Sequence, residues 1–183
     1  MRSNQVRIIG GEWRSRRLRF SDEQGLRPSA DRVRETLFNW LGQDLHGRIC
    51  LDLFAGSGAL GFEALSRGAA SVVMVEKNRR VLEALRSNAE LLGAKNLELH
   101  CADALEFATA AARQDAARFD IVFLDPPFGS VLLAQVLPRV APLLKPGAQV
   151  YVESAMAFAE NGGWHILKQG RAGQVHFNLV TYD

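Results

Sequence analysis

Residues 49–61 read ICLDLFAGSGALG, an apolar run that closes on Asp52 and then places Gly56, Gly58 and Gly61 within six positions. Glycines so spaced let a strand turn sharply into a helix and let a ligand approach the backbone. Downstream the alternation continues. SVVMVE ends on Glu76, and Asn78 opens a helix with Val81, Leu85, Ala89 and Leu92 on one side. LELHC, an Ala-rich helix after Asp103, FDIVFLD, a helix from about Val131 to Leu144, and AQVYVE follow. Strands apolar on both faces and joined by helices form a covered parallel sheet. WHILK and QVHFNLVTY are separated only by QGRAG, too short for a crossover, so the chain is predicted to end in an antiparallel hairpin.

Upstream, VRIIGG and WRSRRLRF predict two short strands around a Gly10-Gly11 turn. Asp31 is expected to cap a helix whose face is Val33, Leu37, Trp40 and Leu41 and which stops at Gly42. The 183 residues, 48% hydrophobic, suit one catalytic domain at 46–183 with a small hairpin-and-helix appendage at 1–45. Residues 1–34 hold nine arginines against Glu12, Asp22, Glu23 and Asp31, an excess of +5, whereas the remainder carries −3. A basic arm on an acidic body suggests a polyanionic partner, or a solvated charged face. Cys50 and Cys101 lie in apolar strand-like runs and read as small buried hydrophobes. The four histidines show no ligand spacing, so no metal is expected. With no long apolar run and no leader-like start, the chain is expected to be cytoplasmic and off the membrane.

Gly56, Gly58 and Gly61 satisfy GxGxxG, and Glu76 lies 20 residues beyond Gly56, which a dinucleotide site would also show. Asp52 tips the balance. At the mouth of the first core strand it would repel a pyrophosphate but hold the cationic amino group of a methionyl moiety. Amides near Phe54, Ala55, Gly56, Ser57 and Gly58 can then receive the small carboxylate. Glu76, with Lys77 and Asn78, suits ribose hydroxyls, and Asp103 with Ala104 stands where methyltransferases often keep an acidic residue for the adenine edge. The cofactor so described is S-adenosyl-L-methionine, and the sheet resembles the class I, Rossmann-like methyltransferase sheet: mostly parallel, seven-stranded, with an antiparallel C-terminal hairpin.

Asp125-Pro126-Pro127-Phe128 projects from the same edge. An exocyclic amine of a nucleobase is a poor nucleophile because its lone pair is delocalised into the ring. A carboxylate accepting one N–H and a carbonyl accepting the other would orient the nitrogen and stabilise its developing charge. Asp125 and the Pro126 carbonyl fit those roles, the prolines stiffen the turn, and Phe128 offers a stacking face.

Together the segments RIIGGEWRSRRL, LRPSADRVRETLFNWL, LDLFAGSGALGFEALSRGA, VEKN and LDPPF resemble the RsmD family of bacterial 16S rRNA guanine-N2 methyltransferases over nearly the whole chain. The resemblance implies S-adenosyl-L-methionine as methyl donor and N2 of a single guanine in 16S rRNA, or in the assembling small ribosomal subunit, as acceptor. It implies cofactor roles for Asp52, Gly56, Gly58, Glu76 and Asp103 and acceptor roles for Asp125 to Phe128. Arg14, Arg16, Arg17, Arg19, Arg27 and Arg34 are expected to meet RNA phosphates, and a monomer is expected. The rivals are adenine-N6 or cytosine-N4 amino-methylation, glutamine-N5 methylation, and a dinucleotide oxidoreductase.

Overall fold

The computed structural model describes residues 5–20, 30–114, 117–127 and 131–183. The readings of Arg27, Pro28, Ser29 and Phe128 lie outside them. The first strands, β1 (Gln5–Arg7) and β2 (Arg17–Arg19), pair antiparallel, but each is only three residues long. The Gly10-Gly11 stretch is not a tip in solvent. It bends onto the protein body, where Glu12 N–H donates to the Ser66 carbonyl at 2.7 Å. Gly11 has φ +76°, and a Cβ there would stand 1.8 Å from that carbonyl oxygen, so only glycine permits the contact.

Helix α1 (Asp31–Leu41) ends at Gly42 in the left-handed conformation, as its sequence predicts. Its start differs, because Ala30 takes the N-cap position and Asp31 instead turns its carboxylate to Arg34 and Arg7. The buried face is Val33, Arg34, Leu37 and Phe38, with Trp40 and Leu41 packed at its margin.

The core alternation appears as expected: β3 (Ile49–Asp52), α2 (Ala59–Ser66), β4 (Ser71–Glu76), α3 (Arg79–Leu92), β5 (Leu97–Cys101), α4 (Ala104–Ala112), β6 (Phe119–Leu124), α5 (Leu132–Val140) and β7 (Leu144–Ser154). Helix α5 stops short of the expected Leu144 in a tight turn at Ala141–Leu143, where Pro142 has no amide to continue the ladder. Strands β8 (Trp164–Ala172) and β9 (Val175–Tyr182) make the antiparallel hairpin. The seven-stranded sheet has the order β5-β4-β3-β6-β7-β9-β8, with β9 antiparallel to both neighbours.

Residues of the hairpin and of α1, α2 and α3 cover one face, and those of α4 and α5 cover the other. Val6, Ile8, Leu18, Val33, Leu37 and Phe38 belong to the same buried cluster as Cys50, Met74 and Phe123. The N-terminal hairpin and helix therefore share the core of the sheet. Cys50 is buried, and burial pushes its thiol up to about 12. Cys101 departs from expectation: it ends its strand and is exposed. No described helix is long and apolar enough to cross a membrane.

The order of crossovers reverses between β3 and β6. A crevice opens at such a switch point at the carboxyl ends of the strands, where open α/β sheets bind ligands. Asp52 closes one of those strands and Asp125 follows the other.

Candidate active site

Asp52 lies at the end of β3 and is buried to 1% exposure. Its Oδ2 accepts the Gly61 N–H at 3.1 Å, and Oδ1 has no hydrogen-bond partner among the described residues. The approach depends on Gly61, where a Cβ would sit 2.4 Å from Met74 Cε and 3.3 Å from Asp52 Oδ2. Burial raises the Asp52 carboxyl to about 7, with the Glu76 charge adding to it. The Gly61 and Phe54 amides pull it back down, the latter without completing a hydrogen bond. A buried, orphaned carboxylate oxygen costs free energy until a donor reaches it. This is the environment that a small cationic amino group satisfies.

The glycine turn is fastened on both sides. Leu53 N–H donates to the Phe123 carbonyl at 3.2 Å and Ala55 N–H to the Val75 carbonyl at 3.0 Å. Glu76 accepts the Gly56 N–H on Oε2 at 3.1 Å and the Asn78 N–H on Oε1 at 2.8 Å. Gly58 N–H donates to the Ala55 carbonyl at 2.7 Å. The amides of Ala55, Gly56 and Gly58, expected from sequence to receive a carboxylate, are thus engaged within the protein. Ser57 is buried between them. Each Glu76 oxygen keeps a second lone pair for a hydroxyl donor. Lys77 is exposed beside it, and Asn78 caps α3 through its Oδ1.

Asp103 caps α4 through one oxygen, Oδ1, which accepts the Leu105 and Glu106 amides at 2.8 and 3.2 Å. Ala104 is the first residue of that helix, so the helix ladder gives its amide no acceptor. Asp52 and Glu76 thus close β3 and β4, and Asp103 follows the end of β5 by two residues, the three adjacent parallel strands lying about 4.8 Å apart.

On the other side of β3, Asp125 and Pro126 are half-buried just past the end of β6, and Pro127 is exposed. Phe123 pairs in register with Tyr151 of β7. Tyr151 is fully buried and donates its hydroxyl to Glu153 Oε1 at 2.7 Å. Burial, then the Glu153 charge, and lastly the Asp125 charge push the Tyr151 hydroxyl well above its usual range. Sequence reading missed Tyr151 and Glu153. Their signal was in AQVYVES, where period-two alternation puts two polar groups on one face at a strand end.

The arginines separate into two groups. Arg14, Arg16, Arg17 and Arg19 are exposed. Arg16, Arg17 and Arg19 line, with Gln5, Asn88, Leu91 and Leu92, an open groove of about 460 Å³. Arg16 donates to the Leu91 carbonyl at 3.0 Å, at the end of α3 remote from the glycine turn. Arg34 corrects the sequence reading, since its side chain is 0% exposed and bonded to Glu63, Asp31 and the Arg7 carbonyl. Its helix face is turned inward, so the guanidinium is closed to RNA.

The family model described as Conserved hypothetical protein 95 matches residues 6–181. The chain is 43% identical over 189 residues to Ribosomal RNA small subunit methyltransferase D of Escherichia coli (strain K12), covering 99% of this chain and 92% of that protein. It is 41% identical to the protein of the same name from Haemophilus influenzae, covering 96% and 93%. Among solved structures, the putative methyltransferase yhhF from Escherichia coli superposes with a TM-score of 0.86 at 41% identity, over 98% of each chain. The T. thermophilus 16S rRNA N2 G1207 methyltransferase RsmC, solved with AdoMet and guanosine, shares the fold at TM-score 0.73 and 23% identity, over 98% of this chain and 50% of that one.

Proposed function

The chain belongs to the RsmD family, described as Conserved hypothetical protein 95 and including Ribosomal RNA small subunit methyltransferase D, and from that premise we propose the finer reaction: methyl transfer to the exocyclic N2 of one guanine in 16S rRNA. At the coarser level the chain is an S-adenosylmethionine-dependent methyltransferase of small-subunit rRNA. The observation that carries the cofactor reading is the orphaned Oδ1 of Asp52, buried beside a glycine turn at the switch point.

Bound S-adenosylmethionine supplies an electrophilic methyl group. Asp52 holds the amino group of its methionyl end, Glu76 accepts from the ribose, and Asp103 with the Ala104 amide meets the adenine edge. Asp125 accepts one N–H of the incoming amine and the Pro126 carbonyl accepts the other, which aims the nitrogen lone pair and stabilises the positive charge that develops there. The cofactor would supply the methyl carbon to the nitrogen lone pair and retain the electron pair of its sulfur–carbon bond. One amine proton then leaves to Asp125 or to water.

Guanine N2 is supported by family membership together with a carboxylate-and-carbonyl clamp that suits a flat, delocalised amine. Transfer of tritium from labelled cofactor into 16S rRNA of a strain lacking the gene, followed by nuclease mapping of the labelled nucleoside, tests it. Label in N2-methylguanosine at a single site is expected. Label in adenosine or cytidine would replace the guanine assignment with one of the other amino acceptors.

A further inference from the structure

Phe123 and Tyr151 are register partners on the parallel strands β6 and β7, and both face the buried cluster under α1 and α2. Side chains alternate along a strand. Two residues on, the same face of β7 carries Glu153 near the strand's end, and Asp125 is the first residue past the end of the neighbouring β6. The carboxyl ends of these two strands thus bring a second acidic residue to the edge that carries the amine clamp, and the buried Asp52 is the register partner of Phe123 on the other side.

Glu153 is half-buried. The Tyr151 hydroxyl, donating from below at 2.7 Å, fixes the orientation of its carboxylate. That both charges are felt at the same hydroxyl agrees with the two carboxylates lying close together.

Two neighbouring carboxylates repel each other and favour a ligand edge that brings several N–H donors at once. The Watson–Crick edge of guanine carries the N2 amine and, next to it, an N1–H. Adenine and cytosine carry an amine next to a ring nitrogen with a bare lone pair, which a carboxylate repels. We propose that Glu153, positioned by Tyr151, accepts the N1–H of the target guanine and so selects guanine over other amino-bearing bases. This rests on the guanine-N2 transfer proposed above. It assigns Asp125 to the reacting amine and Glu153 to the adjacent ring nitrogen.

The test uses full-length protein, tritiated S-adenosylmethionine, and two target RNAs, one with guanine and one with 2-aminopurine at the acceptor position. 2-Aminopurine keeps the 2-amino group but has a lone pair at N1. Wild type is expected to favour guanine by roughly 10- to 100-fold in kcat/KM, the size of a charge-assisted hydrogen bond. In E153Q the side-chain amide can donate to the aminopurine N1, so the preference should collapse toward or past unity. This change of ratio also separates the N1–H from the oxygen that 2-aminopurine lacks. Y151F should shrink the ratio partway while cofactor affinity holds. An undiminished guanine preference in E153Q would overturn the role of Glu153 and leave the methyltransferase reading intact. Failure of wild type to methylate the guanine RNA would instead overturn the proposed function.

Discussion

Arg34 Nη1 on α1 stands 3.4 Å from Glu63 Oε2 on α2, and both side chains are completely buried. Glu63 also accepts Arg67 Nε at 2.9 Å and the amides of Ile9 and Gly10 at 2.8 Å each. One carboxylate thereby joins the hairpin loop, α1 and α2. Breaking a buried ionic network by removing one charge leaves its partners uncompensated and costs about 3–5 kcal/mol. Glu63→Gln is expected to lower stability by that order. Hydrogen exchange should show Ile9 and Gly10 losing protection before the strands of the sheet do. Uniform loss of protection across the chain would count against this anchoring role.

The same network explains what sequence could and could not reveal. The strand–turn–helix at residues 49–61, the alternating core and the closing hairpin were legible because periodicity and turn residues are local. The placement of Asp52, Glu76, Asp103 and Asp125 at the carboxyl edge of the sheet was legible because each ends or follows an apolar run. Arg34 was misread because Glu63, the fully buried one of its two carboxylate partners, lies 29 residues away, and one arginine in a basic stretch looks like the next. Glu153 went unseen for a related reason. Its meaning depends on β7 lying beside β6 in register, which local spacing does not encode.

In the proposed cofactor site Asp52 gives binding a pH dependence. Its carboxyl is raised from 3.8 to about 7 by burial, so the folded protein without ligand holds a proton that the unfolded chain releases near pH 4. The stabilising contribution of the neutral carboxyl is full below pH 4 and is lost as pH rises through about 7. A cationic amino group on Oδ1 requires the ionised form. S-adenosylmethionine affinity should therefore rise with pH up to about 7, with proton release on binding. Calorimetry in buffers of different ionisation enthalpy measures that proton. Asp52→Asn should bind the cofactor weakly with no buffer dependence, and an unchanged proton release in this variant would remove Asp52 from the site.

In the proposed clamp Asp125 acts on the transition state rather than on folding. Asp125→Ala should lower single-turnover transfer on the order of a hundredfold or more, as loss of one preorganised electrostatic group does. Cofactor affinity and melting temperature should stay close to wild type. Asp125→Asn retains an acceptor oxygen but no charge, so intermediate activity is expected. Near-normal transfer by the alanine variant would dismiss the clamp.

The arginine groove makes a prediction about the reach of the substrate. Helix α3 begins at the carboxyl edge, beside Glu76, and ends at Leu92 beside Arg16 and its neighbours. Its 14 residues span about 21 Å at 1.5 Å each. RNA phosphates bound at Arg16, Arg17 and Arg19 would therefore lie about that far, measured along the helix, from the carboxyl edge of the sheet. Replacing the three with Gln should weaken binding of a long rRNA fragment and reduce its salt slope by roughly 2–3, near one phosphate contact per arginine. A minimal hairpin bearing only the target loop is too short to engage both ends, so the variant should methylate it as well as wild type does. Equal losses on the two RNAs would mean that the arginines act near the catalytic edge. No loss on either would return them to a solvated surface.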